Sequence, residues 1–269
     1  MRLLQEFKGI CIALLLCGVA SNANATEYPG VTSAFRSAEL SFDVAGKIRS
    51  INVREGAAVS KDQDLIVLYN QIEMLEVKRK YLVFISKAEL NAAINKEKAL
   101  KGQLESAKLL FDRGAVSAED LQRKELDYLA ISASKEQLTT REKVEEVEYH
   151  LAKAALNYRT LKAPFTGVVT RIIKDLGESV EANQPILKLV DLSKGYVITN
   201  LDPQIAVALR ENQKVTIHVQ GLDVFQGEIS FISPEIDPAS GLLQIKVIYE
   251  NKDHRVRPGI AAKIVFPDI

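Results

Sequence analysis

Apolar positions follow two different periods along this chain, and the change of period divides it. Between residues 71 and 159 they return every third or fourth position. They run Leu82, Ile85, Ala88 and Ala92, then Leu100, Leu104, Ala107 and Phe111, and later Val144, Val147, Leu151, Ala154 and Tyr158. That spacing lines one face of a helix. On both sides of this segment the apolar positions shorten to strand-length runs and alternation: Ile48 to Val53, Leu65 to Leu68, Val168 to Ile173, Ile186 to Val190, then Val215, Ile217 and Val219, Ile229 and Phe231, and Leu243, Ile245, Val247 and Tyr249. Alternation of this kind predicts half-buried strands.

The strand segments flanking the helical one repeat each other. Gly46, Gly56, Val59, Gln63, Leu65 and Leu68 recur as Gly167, Gly177, Val180, Gln184, Ile186 and Leu189, every pair 121 positions apart. Each copy reads strand, glycine turn, strand. Gly46, Gly56, Gly167 and Gly177 are expected to be architectural, with glycine at the turns because a positive φ there costs it no Cβ clash. A unit of ~25 residues cannot bury its apolar face alone, so the copies are expected to pack together as one split β-domain.

The segment between the copies holds no proline and is rich in Ala, Leu, Glu, Lys and Gln, all strong helix formers. Within it, Asp112-Arg113-Gly114-Ala115-Val116-Ser117 combines a glycine stop with a serine N-cap, and Asp120 lies in the next turn. Two arms of 42 residues are predicted, Gln71 to Asp112 and Ser117 to Tyr158. At 1.5 Å per residue each reaches about 60 Å, a length that needs a partner. The apolar stripe is read as the seam of an antiparallel coiled coil. After the second copy, Asp202-Pro203 opens a short helix through Arg210. Turn signals at Asp237-Pro238-Ala239-Ser240-Gly241 and Pro258-Gly259 then separate the strands of a small antiparallel β-barrel, whose missing strand is sought in Val31 to Phe42.

The expected fold is mixed α and β, elongated and modular: a split lipoyl-like β-sandwich, a long antiparallel α-helical hairpin and a small antiparallel β-barrel. The boundaries are 40–70 with 160–190 for the split domain, 71–159 for the hairpin, and 26–39 with 191–269 for the barrel. Residues 1–25 read as a signal peptide: Arg2 and Lys8, an apolar run of 11 residues from Ile10 to Ala20, and the small-x-small Ala23-Asn24-Ala25. Cleavage removes both cysteines, Cys11 and Cys17, and leaves 33 basic and 34 acidic residues. A near-neutral chain exported without disulfides fits the periplasm and offers no overall charge for nucleic acid. A lipid anchor on Cys17 is the minority reading, because Leu14-Leu15-Leu16 fills the space where that signal needs a small residue.

Catalytic chemistry has no candidate set. His150, His218 and His254 fall on the hairpin, a strand and a turn. No Ser/His/Asp grouping, phosphate-binding glycine loop or H-x-x-E-type metal spacing occurs. No catalytic, cofactor-binding or metal residue is assigned, and no cofactor is expected.

The order of parts resembles the periplasmic adaptor or membrane fusion proteins of tripartite efflux systems, the HlyD-like family. The residues that carry the resemblance are Val44-Ala45-Gly46-Lys47-Ile48, Ala163-Pro164-Phe165-Thr166-Gly167-Val168-Val169, the hairpin between them, and Arg257-Pro258-Gly259-Ile260, where Gly259 is a further structural turn. The resemblance implies a non-enzymatic adaptor linking an inner-membrane transporter, of RND type first, to a TolC-like outer-membrane channel for efflux of small molecules. It implies a homo-oligomer, trimer or hexamer, or pairing with another adaptor. The hairpin tip would dock the channel through Leu110, Arg113, Gly114 and Ser117. Leu110 and Ser117 keep the family spacing, whereas Ser106 stands where the family carries an arginine, with Arg113 or Lys108 as substitutes. The contrasting readings are an envelope interaction protein with a coiled-coil spacer and a lipoyl or biotinyl carrier. The second lacks a methionine-flanked lysine at either junction.

Overall fold

The computed structural model describes residues 26–222 and 224–267; the signal-peptide reading of residues 1–25 and the Cys17 anchor lie outside it. The chain forms two compact units, one of the chain up to Ser33 with Gly195–Ile269, the other of Ala34–Lys194. Two long strands, β1 (Glu27–Ser41) and β8 (Pro185–Leu201), contribute residues to both.

In the Ala34–Lys194 unit the repeat becomes a pseudo-symmetric pair of small sheets. The first copy supplies β2 (Gly46–Ile51), β3 (Ala58–Val59) and β4 (Asp64–Leu68). The second supplies β6 (Gly167–Ile172), β7 (Ser179–Val180) and the start of β8, and β5 (Thr160–Lys162) precedes it. The copies exchange strands: β2 pairs with β7 as Gly46↔Val180, and β3 pairs with β6 as Val59↔Gly167. These are the same pair under the 121-residue shift. Equivalent side chains fill one core, Ile48 with Val169, Val59 with Val180, Leu65 with Ile186, Leu68 with Leu189, all at most 3% exposed.

The turns obey the same symmetry. Gly56 and Gly177 have φ of 81° and 83°. Asp62 and Asn183, which the sequence reading passed over, have φ of 65° and 62°, and short Asx side chains tolerate that region. Their amides bond Ala163 O and Phe42 O, both at 2.8 Å and again 121 positions apart. Gly46 and Gly167 are not turn glycines. They open strands where a Cβ would come within 2.9 Å of Leu68 Cδ1 and 2.5 Å of Val190 O, so they are glycine for close approach.

The helical segment departs from two equal arms. The first arm is two helices, α1 (Gln71–Phe84) and α2 (Ala88–Phe111); the second is one, α3 (Ala118–Asn157). At the break Ser86 N bonds Val83 O and Lys87 N bonds Ile85 O, so the α-helical ladder is interrupted. The cause is register. Continuing the heptad that brings Val77, Lys80 and Phe84 inward would turn Lys87, Asn91, Lys98 and Lys101 inward too. Slipping by one residue instead brings in Leu90, Ala93, Leu100, Leu104 and Ala107, of which Ala93, Leu104 and Ala107 are buried.

The predicted seam of the second arm is also corrected. Val144, Val147, Leu151 and Tyr158 are 52%, 58%, 65% and 51% exposed, and Leu82 and Ile85 of the first arm are exposed as well. The half-buried positions of α3 run instead from Leu121 and Lys124 to Tyr149, Ala152 and Leu156 in strict three-four alternation. Charged residues occupy part of that seam because the other arm pairs them: Lys135 with Glu97 at 2.7 Å, Lys87 with Glu142, and Lys80 with Glu148.

The other unit is a closed barrel. Its strands follow the order β1, β12 (Ala261–Val265), β9 (Lys214–Val219), β10 (Val224–Ile236), β11 (Leu243–Glu250), β8, and β8 pairs back to β1. The strand that meets β12 is Glu27–Val31, earlier than the Val31 to Phe42 expected. Thr32 fixes it. Its buried hydroxyl donates to Arg257 O at 2.8 Å and accepts from Ile260 N, while Gly259, with φ of 91°, donates its N–H to Thr32 O. The short helix α4 (Pro203–Ala206) is capped by Asp202 and stops four residues before Arg210, the remaining amides bonding three residues back.

Candidate functional site

The tip of the hairpin is built by one stop and one start. Gly114, with φ of 72°, lets its own N–H reach Phe111 O and Ala115 N reach Leu110 O, the paired bonds that satisfy the last carbonyls of α2. Ser117 then caps α3: its Oγ accepts from Asp120 N at 3.1 Å and donates to Asp120 Oδ2, and Arg123 pairs with the same carboxylate. Asp120 and Glu119 at this end also suit the positive pole of the helix dipole. Both ends are fixed by these local bonds, in which the side chains of Leu109, Leu110 and Phe111 take no part.

Those side chains are apolar and open. Leu110 is 44% exposed, and Arg113, Gly114 and Ser117 are exposed with it. The sequence reading missed two neighbours, Leu109 at 62% and Phe111 at 40%; it had placed Phe111 in the seam. The signal available was three consecutive bulky apolar residues, which a helix cannot all face inward. Ser106, at the family's arginine position, donates its hydroxyl to Gly102 O at 2.9 Å within its own helix. Lys108 is drawn to Glu125 at 3.5 Å, so Arg113 is the better placed cation. Together these residues make an exposed apolar surface beside a cation. Among the described residues no three His, Cys, Asp or Glu side chains gather as a metal site, and no helix is long and apolar enough to cross a membrane.

At the other end of the hairpin Arg159 joins three segments. It pairs with Glu73 of α1 at 2.7 Å and donates to Ala45 O at 2.8 Å. Both partners of the ion pair are under a quarter exposed, a clamp that single-residue reading gave no reason to expect.

Comparison with known proteins follows the same outline. Residues 200–268 match the family described as CusB-like, beta-barrel domain. The nodulation protein NolF of Rhizobium meliloti is 25% identical over 240 residues, covering 88% of this chain and 62% of that protein. The macrolide export protein MacA of Escherichia coli O157:H7 is 27% identical over 215 residues, 76% of this chain and 57% of that protein. The chain thus spans about three-fifths of the length of these relatives. Among solved structures, MacA from Actinobacillus actinomycetemcomitans superposes with a TM-score of 0.73 at 20% identity, over 89% of this chain and 78% of that one. The membrane fusion protein Spr0693 from Streptococcus pneumoniae R6 gives 0.61 at 15% identity, over 89% and 97%. This chain has the fold of a membrane fusion protein. Within the Ala34–Lys194 unit the split β-domain carries the hairpin, whose tip is an exposed apolar end.

Proposed function

We propose that the chain is a periplasmic, non-enzymatic adaptor that links an inner-membrane transporter, of RND type, to a TolC-like outer-membrane channel for export of small molecules. In this reading residues 1–25 are a removed signal peptide, 40–70 with 160–190 the lipoyl-like domain, 71–159 the docking hairpin, and 26–39 with 191–269 the barrel. The observation that carries it is the tip: Leu109, Leu110 and Phe111 exposed beside Arg113, on a turn whose own hydrogen bonds are complete. The relatives support the export role by name, being a macrolide export protein, the multidrug resistance protein MdtN and the cobalt-zinc-cadmium resistance protein CzcB.

The carrier reading loses ground because the split domain passes directly into α1 and out of α3, so no tight β-turn joins its halves to present a lysine. Replacing Leu110→Asp tests the tip. Drug susceptibility of cells relying on the mutant rises to that of cells lacking the chain, while its helical circular dichroism is unchanged. Unchanged susceptibility would contradict the docking role.

A further inference from the structure

The root of the hairpin is bolted at several points. Besides the Arg159 clamp on Glu73 and Ala45, Leu68 N bonds Arg159 O at 2.8 Å, Tyr69 N bonds Lys47 O at 2.9 Å, and Arg49 donates to Asn70 Oδ1 at 3.1 Å. Gly46 belongs to the same joint, since a Cβ there would come within 2.9 Å of Arg159 Nη1. A little higher, Tyr149 of α3 stacks on Phe84 with ring centres 5.8 Å apart and lies 5.5 Å from the ring of Tyr81, so the last turn of α1 is held as well.

The break just above is held far less. Residues 85–89 are all exposed, and α2 starts on Lys87 with no side chain capping it, whereas Ser117 caps α3. Ile85 and Lys87 have ψ of −10° and 14°, roughly 30–60° from the helical value, with φ still negative. Small rotations there tighten or open the break. The tip differs, because Gly114 is committed to a φ of 72°.

Room for such rotations lies beside it. A cleft of about 460 Å³ opens between the arms at this level, with Leu82, Val83, Leu90 and Leu138 along it. Each charged side chain lining the cleft already has an ion-pair partner: Lys87 has Glu142, Arg141 has Glu89 at 3.2 Å and Glu145 at 3.0 Å, and Arg79 has Glu76 at 2.6 Å. The cleft therefore presents no spare charge to fix a ligand, and its apolar side chains become covered when the arms close on each other. Ion pairs on long, exposed side chains cost little to stretch and re-form.

We infer that the hairpin bends at residues 85–87 and not at its root, with the cleft as the space into which the arms close. Helix α3 runs unbroken past this level, and helices of that length curve without breaking. One missing residue creates the hinge. From Phe84 to Leu90 the inner seam advances six positions where a heptad needs seven, so α1 and α2 cannot both face α3 in one continuous helix. A bend of ~20° at the break carries the tip, ~37 Å further along α2, sideways by ~13 Å. The inference concerns motion of the hairpin and holds whatever meets the tip.

Distances between paired spin labels test it, on chain purified from cells that make the full sequence with Cys11→Ser and Cys17→Ser, and diluted with unlabelled chain so that only one copy is read. Leu75→Cys with Lys98→Cys spans the break, ~35 Å along the arm. Ala92→Cys with Leu109→Cys lies within α2, and Lys61→Cys with Leu75→Cys crosses the root. The first pair gives a distance distribution at least twice as wide as either of the others. Inserting one alanine after Ser86 restores the seven-residue step, joins α1 to α2 and narrows the first distribution to the width of the second. A first pair as narrow as the second in the native chain overturns the inference and makes the break a fixed kink. A root pair as wide as the first, or a width that a helical insertion variant leaves unchanged, overturns it too. Where the insertion variant loses its helical circular dichroism, the three widths in the native chain decide.

Discussion

The split β-domain and the hairpin that grows from it are folded on different terms. The β-domain buries a core of 13 side chains, with Ile48, Leu65, Ile66, Leu68, Val169, Ile186, Leu187 and Leu189 all at 0% exposure. The hairpin, although far longer, buries only Ala93, Leu104 and Ala107, and α1 and α3 have no buried residue at all. One region completes itself. The other is held by a thin seam, by cross-arm ion pairs and by the Arg159 clamp, and it leaves many of its large apolar side chains exposed. A domain that packs everything inward is a scaffold, and one that leaves whole seams outward is a surface awaiting partners.

The difference breaks most visibly in the β-domain. Ile186→Ala removes a fully buried side chain and lowers unfolding stability by about 2–5 kcal/mol, read by urea denaturation. A loss of only a few tenths would mean that the core is looser than its burial states. Gly177→Val follows, at about 1–3 kcal/mol, because a β-branched residue must adopt φ near 83° although open space surrounds the position. A thermal melt unchanged by that substitution would show that the turn relaxes.

Acid separates the two regions next. Lys135 hydrogen-bonds Glu97 and holds its carboxyl below the usual 4.5, and Arg79 does the same for Glu76. Such carboxylates stabilise the fold above the unfolded range, and the contribution is lost as pH falls through their lowered folded values. Lys87 and Lys135 are held above 10.5 by Glu142 and Glu97, so their contribution is present below 10.5 and is lost as pH rises through the raised values. Far-ultraviolet circular dichroism below pH 4 should show the helices fraying while the β-domain persists, whereas simultaneous loss would mean that the hairpin pairs contribute nothing separable. Smallest is the outer face: Val147→Ser with Leu151→Ser changes the stability of the dilute chain by no more than about 0.5 kcal/mol. A larger loss would place those side chains in the monomer's own core.

The same contrast explains what could be read from the sequence. The repeat was legible because symmetric packing demands the same residue at equivalent places, so Gly56 and Gly177, or Leu65 and Ile186, announce each other. The tip was legible because Gly114 and Ser117 are local stop and start signals. The seam was not. The apolar heptad of α3 is Val144, Val147, Leu151 and Tyr158, its outer stripe, whereas the inner stripe admits Lys135 and Glu142 and becomes intelligible only with Glu97 and Lys87 opposite. The break after Phe84 carries no Gly or Pro and shows itself only as a one-residue slip in register. Asp62 and Asn183 were hidden for a different reason, since the carbonyls their amides bond, Ala163 O and Phe42 O, lie far away in sequence.

The account stands or falls on what meets the tip. A photoreactive residue placed at Arg113, activated in intact cells and followed by identification of whatever is captured, addresses that directly. Capture of an outer-membrane channel is the predicted result, and it would show that Ser106 in place of the family's arginine is tolerated. Capture of other copies of this chain alone, or of nothing, would contradict the docking role and leave the hairpin as a self-assembling spacer.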